Sequence, residues 1–259
     1  MINQKTAPVQ TPLVIQAIVT ESFKSSISLV APSGYKIDPE RVIKLVKMAA
    51  DKAPALYGCD PKSFMYAVVA ACQLGLEING PLGECYLVPF GKDCVLVIGY
   101  RGIIGLMHRT GLIKSISAYC VYEKDAFEIE YGTTPRISHM PYIAGEPGEI
   151  IGVYAVVTLP DDATQFDYMR ISEVLAIKNR SKSKSNGPWV TDFDMMAKKT
   201  VVKRLSKYLP MSEQSAAAIA IQADNLIESG QTLPVDIDID KVMADDEEYA
   251  DYTESEEAK

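Results

Sequence analysis

Ten cationic side chains crowd into residues 170–207: Arg170, Lys178, Arg180, Lys182, Lys184, Lys198, Lys199, Lys203, Arg204 and Lys207, against only Glu173, Asp192 and Asp194. The chemistry open to such a block is neutralisation of a polyanion, in which no bond is made or broken. Two patterns sharpen this. The stretch from Lys178 to Trp189 (KNRSKSKSNGPW) is basic and turn-rich and ends in the only tryptophan. Cations beside an aromatic ring suit a single nucleic-acid strand, whose phosphates they neutralise and whose unpaired bases a ring can stack on. From Asp192 the spacing predicts a helix whose core stripe is Phe193, Ala197, Val201, Leu205 and Tyr208 or Leu209. On another side Lys199, Lys203 and Lys207 recur at i, i+4 and i+8, each about 6 Å further along the axis. Like charges so placed weaken a helix by ~0.2–0.5 kcal/mol per pair. A purely structural surface would relieve that with glutamates, so a row of exposed cations facing an anion is the expectation. Trp189, a sole tryptophan after Gly-Pro, is expected to pack more than to stack.

Other chemistries lack their residues. There is no G-x-x-x-x-G-K-[ST] phosphate loop. Gly99, Gly102 and Gly105 follow an i, i+3, i+6 pattern that suits close helix packing and is no dinucleotide fingerprint. His108 and His139 stand apart from any ligand pair. Asp125, Glu128 and Glu130 could form a metal-binding carboxylate set of a metal-dependent nuclease. Alternation with Phe127 and Ile129 favours a solvated strand face instead. A third possibility is a non-catalytic scaffold whose basic loop binds an acidic protein. No enzyme active site, metal or cofactor is expected. The five cysteines, 59, 72, 85, 94 and 120, form no CxxC pair, and Cys72 and Cys120 sit in apolar segments, as buried thiols of a reducing compartment would. No apolar run reaches the ~18 residues of a membrane helix, so a cytoplasmic, membrane-free location is expected.

The elements that must position these residues read as helices, then strands, then helices again. Asp38-Pro39 and Asp60-Pro61 are helix starts, aspartate capping and proline in the first turn. They open helices over 39–52, with Val42, Leu45, Val46 and Ala49 inward, and 61–74, apolar nearly all round. An earlier helix is expected over 12–28. Strands are expected at 84–90 and 94–98, joined through Gly91, and at 112–122, 125–131, 149–159 and 164–170, with a helix over 99–109 between the two groups. Helices close the domain at 171–179, 190–209 and 212–228. This order means α+β, with a mostly antiparallel central sheet flanked by N-terminal and C-terminal helices. The 259 residues carry a net charge of −8. Residues 236–259 hold eleven acids and two lysines, so the deficit lies in an acidic tail expected to be flexible, and the remaining body is close to neutral.

Six segments, in order, carry a family resemblance: Cys72–Leu76 (CQLGL), Tyr86–Gly91 (YLVPFG), Ile98–Gly102 (IGYRG), Ser185–Val190 (SNGPWV), Met196–Thr200 (MAKKT) and Lys203–Pro210 (KRLSKYLP). Over about 60–212 the chain resembles the RecT family of phage-type single-strand annealing proteins. The resemblance implies an ATP-independent protein that coats single-stranded DNA, pairs complementary strands and holds the annealed duplex intermediate. It implies a homo-oligomer, ring or helical filament, working beside a phage-type exonuclease in a bacterial host cell, encoded by phage or prophage. It also implies that Tyr100 and Arg101 lie near the DNA groove with the basic helix. The expected phosphate contacts are then Arg101, Lys198, Lys199, Lys203, Arg204 and Lys207. Lys178, Arg180, Lys182 and Lys184 form a closing loop, and Tyr100 and Trp189 shape the groove or stack. Tyr208 and Phe193 are expected in the core. The resulting organisation is an N-terminal helical arm, 1–37, for oligomer contacts, a DNA-binding core, 38–230, and the acidic tail, 231–259.

Overall fold

The structure, a computed structural model, describes residues 11–32, 35–181, 184, 185, 187–211 and 215–229. Lys182 and the acidic tail lie outside the described residues. The described chain forms two compact units, one within Met1–Ile98 and one within Gly99–Gln231.

The first unit is built around one buried helix. Helices α1 (Leu13–Ile18), α2 (Glu21–Leu29), α3 (Pro39–Lys52) and α4 (Pro61–Leu74) precede a hairpin of β1 (Cys85–Phe90) and β2 (Asp93–Ile98). Both Asp-Pro starts cap as expected: Asp38 accepts from Glu40 N at 3.1 Å and Asp60 from Ser63 N at 2.8 Å, each cap worth about 1 kcal/mol. Gly75 ends α4 in the left-handed region, φ 61°, where a Cβ would be strained. Phe64, Met65, Val68, Val69, Ala71 and Cys72 of α4 are all buried. The helix packs on β2, and Ser63 Oγ accepts from Cys94 N at 3.0 Å to tie the two together. Gly91, φ 64°, opens the two-residue turn between β1 and β2, the place a type II′ hairpin reserves for glycine. Two expectations need correction. The single helix over 12–28 is two, because the Thr20 side chain caps a new helix by accepting from Phe23 N. On α3 the inward face is Ile43, Val46, Ala49 and Ala50, with Val42 and Leu45 only half-buried.

The second unit is a small sheet between a helix and a hairpin. It runs α5 (Tyr100–Arg109), β3 (Ser115–Tyr122), β4 (Ala126–Glu130), β5 (Arg136–Met140), β6 (Ile150–Thr158), β7 (Thr164–Arg170), α6 (Ile171–Arg180), α7 (Pro188–Thr191), α8 (Phe193–Leu205), a 3-10 turn at Ser206–Tyr208, and α9 (Ala216–Ser229). The α+β class and the antiparallel pairing are as expected. The strands divide among three sheets, β1-β2, β3-β6-β7 and β4-β5, and β5 adds a strand outside the expected ones.

Register places Cys120, Val153 and Met169 side by side across β3-β6-β7. They face α8, since Cys120 Sγ reaches Asp194 O at 3.9 Å. The neighbouring row, Tyr119, Tyr154 and Tyr168, points the other way. There Phe127 of β4 lies 5.6 Å from Tyr154 and 5.3 Å from Tyr168, ring centre to ring centre. The β4-β5 hairpin is thus held by aromatic stacking. All five cysteines are buried and unpaired, and burial pushes the Cys72 thiol up to about 12 and that of Cys120 to about 11.

Candidate functional site

Helix α8 decides where the expected cations go. It sits on β3-β6-β7 by one side, and Ala197, Val201, Val202 and Leu205 are buried. Lys199 and Lys203, expected in an exposed row, are buried as well. Their side chains are 4% and 10% exposed and converge on Asp224 of α9, itself 2% exposed. Lys199 Nζ donates to Oδ1 at 2.5 Å and Lys203 Nζ to Oδ2 at 2.7 Å. Burial alone would raise the Asp224 carboxyl, but the two ammonium groups outweigh it and hold the group ionised, below the usual carboxylate range. A readable signal existed. Asp224 is the one charge between Ala216 and Ile227 in a mostly apolar helical stretch, and a buried acid requires a cation.

Arg204 is also internally engaged. Its Nε and Nη2 donate to the two carboxylate oxygens of Asp167 at 2.5 and 2.7 Å, Nη1 donates to Glu173 at 2.9 Å, and Nη2 also reaches the Tyr168 carbonyl. This fork joins α8 to β7 and to the first turn of α6. The hydrogen bond to Asp167 holds the guanidinium pKa above its ordinary value. Lys198 lies 3.6 Å from Asp194, one turn back, and its charge acts on Cys120. Tyr100 comes to the same stretch of β3: burial raises its hydroxyl pKa, with Tyr119 and Cys120 close by. Tyr100 and Lys198 thus both lie within electrostatic reach of Cys120.

A second group forms where α6, α7 and α8 meet. Lys178 Nζ lies 5.3 Å from the Phe193 ring centre, and Phe193 in turn lies 6.0 Å from fully buried Trp189. Trp189 packs here, with no face open to a base. Arg101, Arg180, Lys184 and Lys207 are exposed and carry no ion-pair partner among the described residues. Two aromatic residues were missed. Tyr208, expected in the core, is 73% exposed beside Lys207, because the 3-10 turn after α8 lets Leu209 take the inward place. Tyr119, 49% exposed, stands at the open end of the tyrosine row.

The carboxylates at 125–130 separate. Glu128 and Glu130 are exposed on β4, but the Asp125 side chain is 1% exposed, not solvated as expected. Asp125 accepts from the backbone N–H groups of Tyr122 and Tyr142, each at 2.8 Å, and contacts His139 Nε2 at 3.0 Å. His139 Nδ1 lies 3.2 Å from Tyr154 Oη. Among the described residues no three metal-capable side chains cluster. No described helix is long and apolar enough to cross a membrane.

A six-motif pattern on an α+β core, with a basic helix laid on an antiparallel sheet, points to one class of recombination-associated DNA-annealing protein. Residues 40–247 match the model of the RecT family, a wider span than the six motifs. The chain belongs to that family. It is 39% identical to Protein RecT of Escherichia coli (strain K12) over 227 residues, 85% of this chain and 83% of that protein. It is 30% identical over 161 residues to the Uncharacterized protein YqaK of Bacillus subtilis (strain 168), 62% of this chain and 56% of that protein.

Proposed function

We propose that this chain is an ATP-independent single-stranded DNA-binding protein that promotes annealing of complementary strands in homologous recombination. Membership of the RecT family over residues 40–247 carries the reading. The exposed cations Arg101, Arg180, Lys184 and Lys207 support it, and so do Tyr119 and Tyr208 beside them in character: charge for phosphates, rings for bases. Annealing asks for no bond chemistry. The protein must hold two backbones, reduce their repulsion and leave base edges free.

In this reading Arg101, Lys207 and Lys198 contact phosphates, with Tyr100 shaping the groove. Lys178, Arg180, Lys182 and Lys184 close over the strand. Lys199 and Lys203 hold α8 to α9 through Asp224. Arg204 and Trp189 act from within the fold. The working form is a homo-oligomer, ring or filament, with 1–37 as its contact arm, 38–230 as the annealing core and 231–259 as an acidic tail. Its partners are single-stranded DNA, the annealed duplex intermediate and a phage-type exonuclease, in the cytoplasm of a bacterial host. An annealing assay on two complementary oligonucleotides, with no nucleotide triphosphate added, tests the proposal. Faster duplex formation with protein is expected, and no acceleration over the spontaneous rate would refute it.

A further inference from the structure

The loop between β5 and β6 holds an isoleucine out in water: Ile143 is 94% exposed, and Met140 at the end of β5 is 68% exposed. The loop is not slack. Tyr142 N donates to Asp125 at 2.8 Å, Lys124 Nζ donates to the Glu146 carbonyl at 2.8 Å, and Lys124 N donates to the Pro147 carbonyl at 3.1 Å. Fixing a backbone costs conformational entropy, and an apolar side chain fixed in water gives nothing back within its own chain. A preformed loop does lower the cost of binding a partner. Residues 123–149 carry six acids against Lys124 and Arg136, and Glu146 and Glu149 are exposed beside Ile143 in sequence. Such a surface repels a nucleic-acid backbone and suits a cationic protein face with an apolar centre.

The same chain carries that face. The outer side of α3 presents Lys44, Lys47 and Lys52 around Met48, which is 47% exposed. The acids nearest these lysines are engaged elsewhere: Glu40 with Lys24, Glu77 with Arg41, and Asp51 as acceptor of the Tyr57 hydroxyl. The three lysines have no ion-pair partner among the described residues. We propose that the 140–149 loop of one copy docks on α3 of a second copy, Ile143 and Met140 against Met48 and the lysine stems, Glu146 and Glu149 against the ammonium groups. The two surfaces differ, so the contact is head-to-tail and repeats into a ring or a filament. The proposal rests on the homo-oligomer of the reading above and adds to it the surface that joins the copies. It is continuous with the contact arm of that reading, because α3 (Pro39–Lys52) follows directly on residues 1–37. It also leaves Arg101, Arg180, Lys184 and Lys207 free for phosphates.

The test is sedimentation velocity of the full chain over a range of concentrations at low salt. Ile143→Asp should raise the concentration of half-assembly about tenfold, and so should Lys44→Glu combined with Lys47→Glu. All three side chains are exposed, so the melting temperature should not move. Adding Glu146→Lys and Glu149→Lys to the chain with the two lysine substitutions should restore assembly, since the pairing returns with its signs exchanged. A mixture of Ile143→Asp with the Lys44→Glu, Lys47→Glu chain should give a one-to-one dimer and nothing larger, because only one intact pair of surfaces remains. Ile143→Asp that assembles like wild type overturns the proposal, and so does a fourfold variant that assembles no better than the double one. Either result leaves the homo-oligomer standing on other contacts. Wild-type protein that stays monomeric, with a long oligothymidylate or without it, refutes the homo-oligomer as well.

Discussion

The cations of the 170–207 block divide by what each one touches. Arg204 is pinned by Asp167, Glu173 and the Tyr168 carbonyl, while Lys207 is exposed with no ion-pair partner among the described residues. Arg204→Ala should therefore cost about 2 kcal/mol in urea unfolding, because Asp167 and the carbonyl lose their donor. Lys207→Ala should leave stability within ~0.5 kcal/mol and lower the slope of log affinity against log salt by ~0.7. A normal slope in that variant would remove Lys207 from the interface. Asp125 supplies a pH prediction. Burial would raise its carboxyl, but the N–H groups of Tyr142 and Tyr122 and the His139 ring reverse this and depress it below 3.8. A depressed folded value means that its contribution is complete above about pH 4 and is lost as pH falls through the folded pKa. Asp125→Asn should cost about 2 kcal/mol at neutral pH and show less loss than wild type between pH 4 and 2, both readable in thermal melts. The block of positive charge was legible in the sequence. Its direction was not, because whether a lysine at i+4 faces water or a partner is set by α9, far along the chain.

Elements with strong local chemistry were legible to the residue. The two Asp-Pro starts fix α3 and α4, and Gly75 and Gly91 fix a helix end and a hairpin. What failed locally was decided by tertiary contact. Strand β5 (RISHM) has few strand-forming residues and pairs because β4 and the tyrosine row offer it a place. That row depends on a missing side chain. A Cβ on Gly152 would lie 2.5–2.6 Å from the Tyr168 ring, so Tyr168 can lie over β6, against Phe127, only above a glycine. Gly152→Ala should destabilise by about 1–3 kcal/mol. Adding Tyr168→Ala should cost less than the two single losses combined. Additive losses in a double-mutant cycle would show that the ring is not what the glycine accommodates.

For the whole molecule, the net charge of −8 describes no surface. Eleven acids lie within 236–259, and the cations that remain exposed lie elsewhere. Deleting 236–259 should tighten oligothymidylate binding at low salt and matter less at high salt, where screening shortens the reach of the tail. Equal affinities at low salt would mean that the tail does not compete with DNA. The indole buried between α6 and α8 has a different consequence. Trp189 is the only tryptophan and lies within Gly99–Gln231, so Met1–Ile98 is dark to selective excitation at the red edge. Emission from this chain follows one unit alone, while far-ultraviolet dichroism follows both. Laid over each other, the two optical melting curves show directly whether the protein comes apart in one cooperative event or in two.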